Sequence, residues 1–181
     1  MELSDPTAIR ALSHPLRLDL LDVLATRGPV TAAQCGRILG VPQANCSFHL
    51  RQLAKYGFAE DAGPGADKRA RQWRLSDPKT TIRVDADRDP VVRQELESLV
   101  IEREARAALD FARRTDPESA SWRKHAGPVS AIAAVTPGEA AELRRQWLEL
   151  LQPYLGRAPQ ASDTQHTRFF FAATPMGGTD D

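Results

Sequence analysis

Two groups of residues in this sequence have the types and spacing to do chemistry, and both suit anions. The first is Ala66–Arg74, ADKRARQWR, where Lys68, Arg69, Arg71 and Arg74 stand against one acid, Asp67, directly after Gly63-Pro64-Gly65. Guanidinium and ammonium groups form charge-assisted hydrogen bonds with phosphate oxygens, so a glycine-containing loop with this tip can grip a phosphate backbone. The second group is an arc on a helix. A helix from Pro42 through Tyr56 sets Cys46, Leu50 and Leu53 at i, i+4 and i+7 on one side. At about 100° per residue, the opposite arc holds Ala44, Phe48, Arg51 and Lys55, flanked by Gln43, Ser47 and Gln52. Amide and guanidinium side chains on such a face can hydrogen-bond base edges in a major groove. Gln43 and Arg51 suit base edges, Phe48 a thymine methyl, and Ser47, Lys55, Lys68, Arg69 and Arg71 phosphate, with Ala44 and Gln52 completing the surface.

Other chemistries find no comparable set. The sequence has no glycine-rich phosphate loop ahead of a helix, no Gly-x-Ser-x-Gly and no His-Glu-x-x-His, and its four histidines are scattered. No enzymatic activity and no cofactor is expected. Cys35 and Cys46 both fall on apolar faces and read as small buried hydrophobes rather than a thiol switch or a metal site. His49, at the edge of the inward face, reads as a structural residue bonding neighbouring backbone, and His14 before Pro15 as a turn residue.

The elements that must position these residues are legible from periodicity and punctuation. Pro15 opens a helix whose Leu16, Leu20, Leu21 and Leu24 form one stripe, ended by Gly28-Pro29. Thr31 with Gln34 is a capping box for a short second helix, with Cys35, Ile38 and Leu39 as its buried edge and Gly40 as its stop. The Pro42–Tyr56 helix follows and ends at Gly57. The runs 58–62 and 72–75, joined by the basic loop, predict a β-hairpin. A capped short helix, a glycine turn, a helix with a polar outer face and a hairpin with a cationic tip together make a winged helix-turn-helix, which can lay its second helix in the major groove.

Residues 11–75 also resemble the ArsR-type winged-helix transcriptional repressors. The likeness runs through Ala11-Leu12-Ser13-His14-Pro15-Leu16-Arg17-Leu18, Ser47-Phe48-His49-Leu50-Arg51-Gln52-Leu53, Tyr56-Gly57-Phe58-Ala59 and Trp73-Arg74-Leu75. The resemblance implies a homodimer on a two-fold symmetric operator, contacted by the helix and wing named above, with half-sites about one helical turn apart. The sequence departs from metal-sensing members, which carry a Cys-x-Cys pair before the recognition helix or histidine and acidic ligands on the long dimer helix. Cys35 stands alone, and 91–114 has no histidine.

Past residue 78 the character changes. Val91–Arg114 runs without glycine or proline, with Val92, Leu96, Leu99 and Val100, then Ile101, Ala105, Ala108, Leu109 and Ala112, as apolar seams. A helix this long needs a partner, and Leu96, Leu99, Val100 and Leu109 are the expected dimerisation residues. Asp116-Pro117 caps a short helix with Trp122, and Thr136-Pro137-Gly138-Glu139 is a second capping box opening a helix with Leu143, Trp147, Leu150 and Leu151 inward. The runs 129–135 and 167–174 read as strands that could lie side by side. Trp122, Trp147 and Phe169–Phe171 read chiefly as core, with an effector pocket as the lesser alternative.

The expected fold is mainly α with a small β part (α+β). Residues 1–78 form a winged helix-turn-helix DNA-binding domain, 79–115 a linker strand and long dimerisation helix, and 116–181 a small C-terminal α+β region. The expected function is a cytoplasmic, dimeric, DNA-binding transcription regulator, with a small-molecule effector left open. The rival is a winged-helix module for protein contacts alone. Composition agrees with both: 24 basic against 24 acidic side chains exclude a wholly basic coat protein. The longest uncharged run, His125–Gly138, is too short for a membrane-spanning helix.

Overall fold

The computed structural model describes residues 12–65, 70–79, 81, 90–159 and 164–176. The chain divides into two compact units, Met1–Arg103 and Glu104–Asp181, and the division falls inside the long helix.

In the first unit, helix α1 (Pro15–Arg27) is followed by a short strand β1 (Val30–Thr31), α2 (Ala32–Leu39), α3 (Gln43–Lys55), β2 (Ala59–Pro64) and β3 (Arg71–Leu75). This is the winged helix-turn-helix order. Helix α2 forms where expected because its capping box closes at both ends: Gln34 N–H donates to Thr31 Oγ1 at 3.2 Å and Thr31 N–H to Gln34 Oε1 at 2.7 Å. Gly40 stops it in the left-handed conformation, φ 68°. The α2–α3 turn is tight enough to require glycine at Gly36 as well, since a Cβ there would lie 2.7 Å from the Val41 carbonyl oxygen.

The sheet is antiparallel with order β1-β3-β2. Glu60 faces Arg74 and Asp61 faces Trp73 across the hairpin, and the register slips between Asp61 and Pro64. Strand β1, whose Val30 pairs with Trp73, is absent from the sequence reading because two residues carry no periodicity. It exists because the β3 edge offers backbone partners.

The core converges from all these elements. Leu18, Leu20, Cys35, Cys46, Leu50 and Leu53 have no exposed surface, and Phe58 and Trp73 close it from the sheet side. Full burial of each leucine stabilises the unit by about 1.5–3 kcal/mol. Ile38, expected on the buried edge of α2, is instead 49% exposed, while Leu39 beside it packs against the core. An eight-residue helix ending in a tight turn offers the core only one narrow side.

The long helix α4 (Pro90–Arg113) spans 24 residues, and its first half belongs to this unit. Here one expectation is corrected. Leu96 is fully buried in the core of its own chain and has no surface to give a partner. Leu99 and Val100 are partly buried against the same core, and Arg103 pairs with Asp22 at 3.5 Å.

The second unit holds the rest of α4, a short helix α5 (Pro117–Trp122), α6 (Pro137–Leu151) and a 3-10 turn at Gln152–Tyr154. Helix α6 begins with the expected capping box: Glu139 N–H donates to Thr136 Oγ1 at 3.2 Å and Thr136 N–H to Glu139 Oε2 at 2.7 Å. Its inward face is a second correction. Leu143 is 49% and Leu150 72% exposed, while Ala140, Trp147, Leu148 and Leu151 are half-buried. The paired strands at 129–135 and 167–174 are a third, since neither run has regular secondary structure or pairs as a strand among the described residues. Glu104 is the one buried residue among the described residues of this unit.

Candidate nucleic-acid interface

Helix α3 is amphipathic in the sense its spacing requires. Cys46, Leu50 and Leu53 anchor one side in the core, which turns Gln43, Ala44, Phe48, Arg51 and Lys55 to the exterior, with Ser47 and Gln52 half-buried at the margins. The seven helix residues expected to form a contacting surface thus lie on one arc and its edges. Pro42, at the N-cap, supplies no side-chain hydrogen bond to the first turn. The positive end of the helix dipole is therefore uncapped beside Gln43 and Ala44.

The charge along the helix-turn-helix sequence is one-signed. From Val23 to Ala59 no acidic residue occurs, while Arg27, Arg37, Arg51 and Lys55 do. Lys55 also sets its ammonium 5.5 Å from the Tyr56 ring centroid.

The wing is less simply basic. Lys68 and Arg69 lie outside the described residues. Arg71 extends over the Trp73 ring, 5.5 Å from its centroid, and its Nε bonds Asp61 at 2.9 Å. Arg74 holds Glu60 with Nε and Nη2 at 2.7 and 2.6 Å. The cross-strand register that pairs Glu60 with Arg74 thus neutralises part of the charge that composition assigned to the tip. A hydrogen bond from Gly65 N–H to the Ala70 carbonyl, 3.2 Å, joins the two sides of the hairpin.

Behind the exposed arc sits a cluster whose roles the sequence reading missed. His14 caps α1, its Nδ1 accepting from Leu16 N–H at 3.2 Å, and its ring lies 4.3 Å from that of His49. His49 in turn meets the Phe48 ring edge-on at 5.1 Å. A run of ring contacts therefore leads from the first helix cap to the aromatic side chain on the outer face. His49 Nδ1 is buried with no hydrogen-bond partner, so the ring acts through packing rather than the backbone bond expected of it. Burial pushes both imidazole pKa values down; Arg17 lowers that of His14 further, and His14 and Arg17 that of His49. Both rings are neutral at pH 7. The available signal was the His14-Pro15-Leu16-Arg17 run, read for its turn rather than for its side chains.

Cys35 and Cys46 are both buried thiols. Burial and the neighbouring Cys46 push the Cys35 pKa up to about 11, which keeps it protonated and unreactive.

Among known proteins, a helix-turn-helix domain family matches residues 12–61, the stretch from the first core leucine to the start of the wing. No curated protein matches the chain. Solved structures similar to it include the YusO protein from Bacillus subtilis, 14% identical over 81% of this chain and 83% of that one, with a TM-score of 0.36. NMB1585, a MarR family regulator from Neisseria meningitidis, is 17% identical over 75% and 78%, with a TM-score of 0.36. Streptococcus pneumoniae FabT in complex with DNA is 16% identical over 75% of each chain, at 0.31. These scores mark distant likeness, and the winged-helix assignment rests on the chain's own topology.

Proposed function

We propose that this chain is a sequence-specific regulator of transcription that binds double-stranded DNA as a homodimer, as a repressor of the ArsR type that residues 11–75 resemble. The observation that carries it is the outer arc of α3: polar and cationic, acid-free, and held rigid by three core side chains on its opposite side. Gln43 and Arg51 read base edges, Phe48 meets a thymine methyl, and Ser47, Lys55 and the open first turn of α3 contact phosphate. Lys68, Arg69 and Arg71 belong to the backbone-gripping wing. Arg71 reaches phosphate by exchanging its exposed Asp61 partner, an exchange that costs little because exposed ion pairs contribute about 0–1 kcal/mol.

Dimerisation falls to the outward seam of α4. Ile101, Ala105, Ala108, Leu109 and Ala112 recur at helical spacing and all are exposed, so the seam shifts away from Leu96 toward the helix C-terminus.

Duplex affinity measured by fluorescence anisotropy across a salt series tests the reading. Affinity should fall with a log–log slope of about −0.9 per phosphate contacted. Arg51→Ala should relax sequence preference by about 1–3 kcal/mol at one base position. Absence of duplex binding even in dilute salt would leave the protein-contact module in its place.

A further inference from the structure

The C-terminal unit presents a contradiction that one partner resolves. Its segments 128–136 and 164–176 are tied to their own unit: the Thr136 capping box ends the first, while Arg168 pairs with Glu104 at 2.9 Å and Phe171 packs 5.7 Å from Trp147 in the second. Yet their large apolar side chains are open. Val129 is 96% exposed, Ile132 84%, Met176 76% and Phe169 58%. Segments anchored by polar and aromatic contacts, with apolar side chains uncovered and no strand partner among the described residues, have the character of an open interface.

We infer that a second copy of this chain covers them: the two segments dock on the C-terminal unit of the partner copy and pair with its counterpart segments as strands. The inference rests on the homodimer part of the function proposed above and is independent of DNA binding. Three observations select a second copy. The first is charge. His125–Gly138 carries no charged residue and 164–176 only Arg168, which is paired within the unit, so a nucleic acid or an anionic membrane surface finds no cation to hold. The second is self-compatibility, because a chain with 24 basic and 24 acidic residues meets its own copy without long-range repulsion. The third is size. With about 150–250 Å² for a fully exposed aromatic side chain, the exposed large apolar residues of this unit amount to on the order of 1,000 Å², comparable to the about 800 Å² each partner gives to a stable interface. Valine, isoleucine, threonine and phenylalanine are also the residues that suit a pleated, half-buried surface.

The test uses the full chain. Light scattering with sedimentation at micromolar concentration should give twice the 19.9 kDa monomer mass. Hydrogen exchange should show amides 129–135 and 167–174 protected in the dimer and unprotected on dilution to monomer. Val129→Asp with Ile132→Asp should raise the dimer dissociation constant at least about tenfold, because each buries an unpaired charge at the contact. A dimer whose segments exchange rapidly, or one indifferent to the double substitution, would overturn the inference and leave α4 as the dimer contact. A monomer with protected segments would overturn it too, naming the chain's own remainder as the cover. Loss of duplex binding with the protected dimer intact would instead count only against the DNA-binding reading.

Discussion

The two units draw on the same local devices and reach opposite outcomes. Thr31 and Thr136 each close a capping box with bonds of nearly the same length, and each opens a helix with an apolar side. The first unit converts this into sixteen buried apolar side chains, whereas the described residues of the second bury none. A capping box satisfies backbone donors within four residues, so it makes a helix wherever it occurs. A core needs apolar faces from distant parts of the chain to meet. In the first unit α1, α2, α3, the sheet and half of α4 all supply one; in the second, α6 and the segments 128–136 and 164–176 keep theirs open.

The largest test of this contrast is a pair of leucine truncations. Leu50→Ala removes a fully buried side chain and should lower stability by about 2–5 kcal/mol in urea unfolding. Leu150→Ala, at 72% exposure, should cost no more than about 0.5 kcal/mol at a dilution where the chain is monomeric. Equal losses would erase the distinction between the units.

A smaller effect comes from pH. His14 and His49 titrate below 6.5 in the folded state, so the unfolded chain takes up protons first as pH falls. Their contribution is fully present above about pH 7 and is lost as pH drops through 6.5 toward the lowered values. The slope is bounded by about 1.4 kcal/mol per pH unit for each ring. Urea midpoints of the N-terminal transition between pH 8 and 5 would measure it. His49→Gln should flatten the curve, and an unchanged curve would remove the ring pair from the stability of this unit.

The smallest sharpens the contrast between a cationic outer surface and an apolar one. Asp61→Asn releases Arg71 from its ion pair. Duplex affinity should rise about two- to fivefold, because no ion pair has to be exchanged, and Arg71→Ala should flatten the salt slope by nearly one phosphate. No change in slope would place Arg71 outside the contact.

Legibility followed the range of the interaction involved. The outer arc of α3 could be read from sequence because Cys46, Leu50 and Leu53 fix the helix's orientation within two turns. The hairpin could be read because glycine and β-rich runs are adjacent in sequence. The His14–His49 contact could not, since it joins residues 35 positions apart whose approach depends on α1 crossing α3. Nor could the partial neutralisation of the wing, because Glu60–Arg74 and Asp61–Arg71 pairs follow from a strand register with a slip in it. Leu96 and Leu99 looked equivalent to Leu109 as members of one apolar seam, and only the packing of α4 separated them.

By itself, then, the order of residues settled where helices begin, where they stop and which face each would hide, since hydrogen bonds and apolar spacing within a few positions decide those things. Which hidden faces actually find cover was left to the tertiary structure. Burial is a property of surfaces brought together from far along the chain, and the described residues of the second unit leave such faces open.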